Sequence, residues 1–317
     1  MAGTRGLPGQ NGAVTSERVG AELVAVLTAV SDGTPLVLTA DDGRRLPSGP
    51  LRTEHRSMQA GLQAWVEQQT GHSLGYVEQL YTFADPDRSL AGGRVVSVSY
   101  LGLTRAPGGA DDRWRDWYAF FPWEDRRPSS PGATLVEDLV APRLADWAGM
   151  ASTREERERR ELRAGVCFAV DGRPWSPELV LQRYELLYEA GLIPEADGDD
   201  AGPGPAHVPG ERMAGDHRRI VSTGLARLRA KIQYHPVVFE LMPDAFTLGQ
   251  LQATVEAIAG QAVHKQNFRR LVTQQDLVEP TGATHSDTGG RPARLYRFRR
   301  EVLDERGVAG TKLPRTR

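Results

Sequence analysis

The 317 residues leave room for about two domains of ordinary size, each with its own core. Hydrophobic residues at 39% and charged residues at 25% exclude a collagen-like or wholly disordered chain. No apolar run reaches the roughly 18 residues a spanning helix needs. The one cysteine, Cys167, excludes an internal disulfide framework and any multi-cysteine zinc site. Residues 1–13 have no apolar core and do not read as a signal peptide, so a cytoplasmic home without membrane contact is expected. The net charge of -2 divides unevenly: residues 211–317 hold 18 basic and 11 acidic side chains, and residues 1–210 hold 21 and 30. A balance of +7 behind one of -9 hints at an acidic domain joined to one that meets nucleic acid.

In chain order, residues 1–19 are Gly-rich and polar and read as a loose tail. Residues 22–29 (ELVAVLTA) and 35–40 (PLVLTA) are β-type runs around Ser31-Asp32-Gly33-Thr34, a hairpin signal. Residues 58–70 read as a helix ended by Gly71. Residues 76–83 and 94–103 read as strands, and the aromatic-rich 112–125 as another. Strands around one helix predict a mixed α/β front domain over 20–150. Ser152-Thr153-Arg154-Glu155 resembles a capping box for a charged helix to about residue 164, its charges a solvated face. Residues 177–191 form an amphipathic helix, 195–210 an Asp/Gly/Pro-rich loop, and 212–233 a long helix; together 151–234 read as a helical linker or dimerisation segment.

Residues 235–303 read as a separate module, with a tail over 304–317. A short helix over 235–242 stops at Pro243. Thr247 can cap a helix to Ala259, and a second helix spans 264–275. Leu277-Val278, a Gly/Thr-rich loop to Gly290 and the strand 293–298 complete a winged helix-turn-helix order. On the second helix Phe268, Leu271 and Val272 recur at helical spacing and are expected to face the core. Lys265, Gln266, Arg269, Arg270 and Thr273 then point outward; such side chains match base edges or phosphates. Asn267 either reaches a base or caps and packs locally. Arg291, Arg294, Arg297, Arg299 and Arg300 lie on or beside the wing. The alternative is a basic surface that binds nothing.

In the front domain, Leu46-Pro47-Ser48-Gly49 precedes a helix ending Ala64-Trp65-Val66-Glu67-Gln68-Gln69-Thr70-Gly71. This resembles the Nudix box, G-x5-E-x7-R-E-U-x-E-E-x-G-U. Aligned on Gly71, its Arg-Glu pair falls on Ala64 and Trp65, its Glu-Glu pair on Gln68 and Gln69, and its upstream glutamate on Arg56; Gly49 needs one extra loop residue. Magnesium, a hard cation, is held by carboxylates together with substrate phosphates. With those carboxylates missing, no metal, no required cofactor and no catalytic residue is expected. A nucleotide pocket can outlast the metal: Arg44, Arg52, Arg56, Arg88 and Arg94 could neutralise a diphosphate beside Gly49, and Tyr81 or Phe83 could stack on a base. The alternative is surface arginines and core aromatics.

Tyr76–Pro86 with Arg94–Leu101, and in the rear Phe239–Pro243, Phe246-Thr247-Leu248, Asn267-Phe268-Arg269-Arg270 and Arg291–Phe298, resemble the Nudix-related transcriptional regulators of NAD metabolism. The middle segment Arg183–Leu192 is similar to their longer alphaproteobacterial branch, associated with the quinolinate route to NAD. The resemblance implies an α+β chain: a Nudix-like mixed α/β sandwich, a helical middle and a winged helix-turn-helix. It implies a homodimeric repressor of NAD biosynthesis genes that binds a palindromic double-stranded operator and senses ADP-ribose, NAD or ATP. An active Nudix pyrophosphohydrolase with an appended domain, or a regulator of sugar catabolism, are the alternatives.

Overall fold

A computed structural model describes residues 19–72, 76–84, 89–90, 93–106, 111–198, 204, 206–234, 237–285 and 292–299. The front is a seven-stranded sheet. Strands β1 (Val19–Ser31) and β2 (Thr34–Leu38) form a hairpin whose turn residues Asp32 and Gly33 both have positive φ, 48° and 73°, the mirror-image turn that suits strand twist. Next come β3 (Ser48–Pro50), α1 (Met58–Thr70), β4 (Tyr76–Phe83), β5 (Ser89–Leu90), β6 (Gly93–Leu103) and β7 (Trp114–Asp116). The strand order is β4-β6-β1-β2-β7, with β3 on β1 and β5 on β6; the β1–β6 pair is parallel, the others antiparallel. Ser57 caps α1 by accepting from the Ala60 amide, and Gly71 ends it at φ 72°.

Alternation along β1 sends the two side-chain sets to opposite faces. Leu23, Ala25 and Leu27 pack with Leu62 and Val66 of α1. Val24 and Val26 join a second, larger core with helices from the middle of the chain. Those helices follow β7 in order: α2 (Trp117–Phe120), α3 (Gly132–Leu135), a π-helical turn (Val136–Val140), α4 (Ala141–Gly149), α5 (Arg154–Phe168), α6 (Val180–Glu189) and α7 (His217–Tyr234). Tyr184 and Leu187 of α6 and Ile220, Val221, Leu225 and Leu228 of α7 lie in that core. Gly224 lets α7 approach the sheet, since a Cβ there would come within 2.8 Å of Val26. Within residues 151–234, expected as a linker or dimerisation segment, α7 packs on the second face of the front sheet and α6 and α5 pack behind it.

Three local expectations change. Only Trp114–Asp116 of the aromatic run is a strand. Asp116 then accepts from the Tyr118 amide at 2.9 Å and starts a helical turn, and the aromatics behind it are buried all round instead of alternating. The long helix begins at His217, not residue 212, because Gly215 stands at φ 55°. On α5 the cap is Thr153, accepting from Glu156 at 3.1 Å, one position later than the motif suggested, and the helix runs on to Phe168. The Arg/Glu run on α5 is solvated and self-paired four residues apart: Arg154 with Glu158, Arg157 with Glu161, Arg160 with Glu156.

The rear module has its own core of Val238, Phe239, Met242, Phe246, Leu251, Phe268, Val272 and Phe298. Its described start is a 3-10 turn, Val237–Leu241, where a short α-helix over 235–242 was expected; Pro243 truncates it, and His235 lies outside the described residues. β8 (Phe246–Thr247), α8 (Leu248–Ala259), α9 (Lys265–Gln274), β9 (Val278–His285) and β10 (Ala293–Phe298) follow, with strand order β8-β10-β9. Thr247 and Gln250 make a full capping box at α8. β9 takes up much of what reads in sequence as a Gly/Thr-rich loop, bending at Gly282 (φ 85°) and paired from Val278↔Phe298 to His285↔Ala293. No described helix is long and apolar enough to cross a membrane.

Candidate functional site

α9 buries Phe268 and Val272 and exposes the rest. At 100° per residue, Leu271 stands about 100° from Val272. It is 52% exposed, so the expectation that it faces the core fails: two residues four apart already fill the contact. Lys265, Gln266, Asn267, Arg269, Arg270 and Thr273 are all exposed, and no ion pair holds the side chains of Lys265, Arg269 or Arg270 among the described residues. The wing differs. Arg297 points outward as alternation requires but meets Glu279 across the ladder at 2.7 Å, and Arg299 meets Asp276 at 2.6 Å. Arg294 is exposed and its side chain is without an ion-pair partner among the described residues, while Arg291 and Arg300 lie outside them. The helix and the near end of the wing thus present cations with few counter-charges, an arrangement that can take up phosphates.

The front residues fall into two groups. Gly49 is buried under the Trp65 ring, where a Cβ would come within 2.3 Å of the indole. Trp65 donates its Nε1–H to the Pro50 carbonyl at 3.0 Å, and Arg52 stacks on the same ring at 4.4 Å while facing Glu54 at 3.7 Å. One turn further along α1, Gln69 accepts from the Ser48 amide at 3.1 Å and donates to the Ser48 carbonyl at 2.6 Å. An ionised carboxylate could not do both. Two positions where a Nudix box carries acids are therefore Trp65 and Gln69, both tied to the backbone of β3. Arg44 and Arg56 are exposed, and the Arg44 carbonyl accepts from Ala214 just ahead of α7 at 2.8 Å.

The second group lies two strands away on the edge strand β4. A bulge between Gln79 and Thr82 is stitched by Ser99, which bonds both the N–H and the carbonyl of Tyr81. Tyr81 is 59% exposed, whereas Phe83 is 3% exposed, with the Arg219 guanidinium 5.4 Å from its ring. Phe83 is thus a core residue with no open ring face, a correction to the reading of it as a stacking surface. Arg88 lies outside the described residues, as does the side chain of Arg94. The box positions do not fit a divalent cation: Arg56, Gln68 and Gln69 supply no carboxylate, and among the described residues no group of three His, Cys, Asp or Glu could hold a metal.

Sequence reasoning missed a cluster between the two modules. The side chains of Glu124, Arg183 and Arg229 are all 0% exposed. Glu124 accepts from Arg183 at 2.5 and 2.9 Å and from Arg229 at 2.5 Å. Arg183 also donates to the Cys167 and Ser176 carbonyls and lies 3.9 Å from the centre of the Trp175 ring. A nearby pair, Arg218 with Glu195 at 3.0 Å, ties α7 to the Phe120 carbonyl. The available signal was an arginine inside an apolar helical stripe: Arg183 among Val180, Tyr184 and Leu187, Arg229 among Leu225, Leu228 and Ile232.

Residues 238–298 match the family model of the NrtR DNA-binding winged helix domain. The ADPR responsive transcriptional repressor NtrR of Acinetobacter baylyi is 38% identical over 92 residues, 29% of this chain; the match spans only 36% of that relative's length. The Shewanella oneidensis NrtR structure complexed with a 27mer DNA matches at a TM-score of 0.50 and 20% identity, over 90% of this chain and 95% of that one. A MutT/nudix family protein from Enterococcus faecalis matches at 0.50 and 18%, over 90% and 89%. The two structural likenesses concern the fold. Residues 238–298 are thus a winged helix of the NrtR DNA-binding type, and the chain as a whole shares the fold of the two solved structures, a Nudix-like front and helical middle ahead of that module.

Proposed function

We propose that this protein is a ligand-responsive DNA-binding regulator, a repressor of NAD biosynthesis genes, whose front domain binds an adenine nucleotide without hydrolysing it. The observation that carries it is α9: Lys265, Arg269 and Arg270, exposed and without ion-pair partners among the described residues, on the second helix of a winged helix of the NrtR DNA-binding type. Gln266, Asn267, Thr273 and Arg294 would contact the same duplex, with Arg297 reaching it only past Glu279; Arg291, just before β10 in sequence, is proposed as a further contact. The curated relative is described as ADPR responsive, which makes ADP-ribose the first effector to try here, ahead of NAD and ATP. Tyr81 supplies an exposed aromatic face, and Arg44, Arg52 and Arg56 supply charge for a diphosphate. Trp65 and Gln69, bonded to the β3 backbone, support binding without metal-dependent turnover. Homodimers would place two α9 helices on half-sites of a palindrome.

The test has two arms. Fluorescence anisotropy of the full chain with duplexes recovered from a randomised pool should give selective binding that weakens with salt. Calorimetry with ADP-ribose, NAD and ATP should give binding to at least one. Failure to recover any duplex removes the regulator. Turnover of ADP-ribose with magnesium at or above about 1 per second would replace it with an enzyme.

A further inference from the structure

α8 ends against the front body, which takes the Ala257, Ile258 and Gly260 carbonyls. Tyr118, just after β7, donates its hydroxyl to the Ala257 carbonyl at 2.5 Å. Arg229 of α7 donates Nε–H to the Ile258 carbonyl at 2.8 Å, and the Arg126 amide donates to the Gly260 carbonyl at 2.7 Å. These are the acceptors a helix leaves orphaned at its C-terminus. Burial pushes the Tyr118 hydroxyl up to about 12, so it stays a donor across the working pH range. Gly260, at φ 67°, leaves no room: a Cβ there would lie 2.3 Å from the Glu124 carbonyl and 2.6 Å from Arg229.

Charge explains why the contact is obligatory. The buried trio holds two guanidinium cations and one carboxylate, a surplus of one positive charge on side chains closed off from the surface. The α8 C-terminus carries about half a negative charge and faces that surplus. Undocking α8 would leave a buried cation short of a counter-charge, which is costly. The same helix end controls α9. Gln252 donates to the Val263 carbonyl at 2.9 Å and Glu256 accepts from the Val263 amide at 2.8 Å, fixing the short turn that leads into Lys265.

We infer that Tyr118 and Arg229 are positioning residues that dock the winged helix on the front body in one orientation and so set where α9 stands. This deepens the regulator reading and its DNA consequence rests on it. In a dimer, a single orientation fixes the separation of the two recognition helices and hence the half-site spacing accepted.

The test uses Tyr118→Phe, which removes one hydroxyl and keeps the ring, with Arg229→Lys as a second variant that keeps charge but loses the fork. Spin labels at Gln63→Cys on α1 and Gln275→Cys beyond α9 report the distance between modules; Cys167 is buried and stays in place. The parent should give one narrow distance and Tyr118→Phe a broadened or second population. On inverted repeats of the recovered duplex at varied spacings, the parent should prefer one spacing at least tenfold. Tyr118→Phe should lose several-fold of that preference while binding a single half-site unchanged. A melting point that falls while the distance stays narrow and the spacing preference intact would overturn the inference, leaving Tyr118 a stability residue only. Failure to recover any duplex would sink the regulator reading instead, with the distance result still deciding the docking.

Discussion

Arginines of one chain do opposite things in two places. On α9, Arg269 and Arg270 are exposed and carry no counter-charge among the described residues. At the junction, Arg183, Arg218 and Arg229 are buried, each held by a carboxylate and by backbone carbonyls. The lesson concerns the +7 balance of residues 211–317. Part of it is not surface charge at all: Arg218 and Arg229 are core, and Arg227 and Lys231 are spent on Glu78 of the front sheet. Among the described residues, what remains for DNA is a small set of side chains on α9 and the wing. Position, not the count, separates a guanidinium that builds the body from one that meets phosphate.

The sharpest way to break this contrast is Arg229→Met. It removes one of Glu124's two cations, leaving Arg183 to balance the carboxylate, and strips the Ile258 and Glu124 carbonyls of their donor; each buried acceptor left unpaired costs about 1–3 kcal/mol. Urea unfolding should show a loss of that size; a change under about 1 kcal/mol would mean the junction is wetter than its 0% side-chain exposure implies. The opposite pole is Arg269→Ala with Arg270→Ala. Unfolding should not move beyond about 0.5 kcal/mol. The salt dependence of duplex binding should instead flatten by about 0.9 in log–log slope for each phosphate that is no longer neutralised. An unchanged slope would remove these two residues from the interface.

A smaller effect belongs to the front domain, where an amide and not a guanidinium is at stake. Gln69→Glu keeps the shape but turns the donor facing the Ser48 carbonyl into an acceptor. At this exposed site a missing hydrogen bond is worth about 1 kcal/mol. The melting midpoint should fall by a few degrees, on the scale of about 2–4 °C per kcal/mol for larger domains. If it rose, the Ser48–Gln69 pairing would not be what holds β3 to α1.

Much of the backbone plan was readable from local chemistry. Gly71 ends α1, Thr247 starts α8, and Asp32-Gly33 turns the first hairpin, because caps and turns are decided by neighbours in sequence. The outward face of α9 was legible for the same reason. What escaped was long-range. Tyr118 reaches Ala257 and Glu124 reaches Arg229 across more than 100 residues, 139 and 105 respectively, and no local pattern marks such a pairing. In the site, the absence of box acids was plain in sequence, but that Trp65 and Gln69 bond the β3 backbone needed coordinates. Phe83 shows the converse: an aromatic on an edge strand looks available to a base until a middle helix is seen to cover its face.

The finest distinction lies within α9 itself, between Phe268 and Leu271. Both are large and apolar and three residues apart, and the sequence treats them alike. Phe268 is 7% exposed and touches the rear core; Leu271 is 52% exposed beside Asn267, one turn back on the same shoulder. Phe268→Ala should cost about 3–5 kcal/mol, as a core aromatic does. Leu271→Ala should stay within about 0.5 kcal/mol, since that side chain buries little. Denaturant melts of the two variants, run side by side, measure the difference directly. Equal losses would mean that Leu271 is covered in solution, by a second copy of the chain or by a shift of α9, and the face assigned to DNA would have to be redrawn around Arg270 and Gln266.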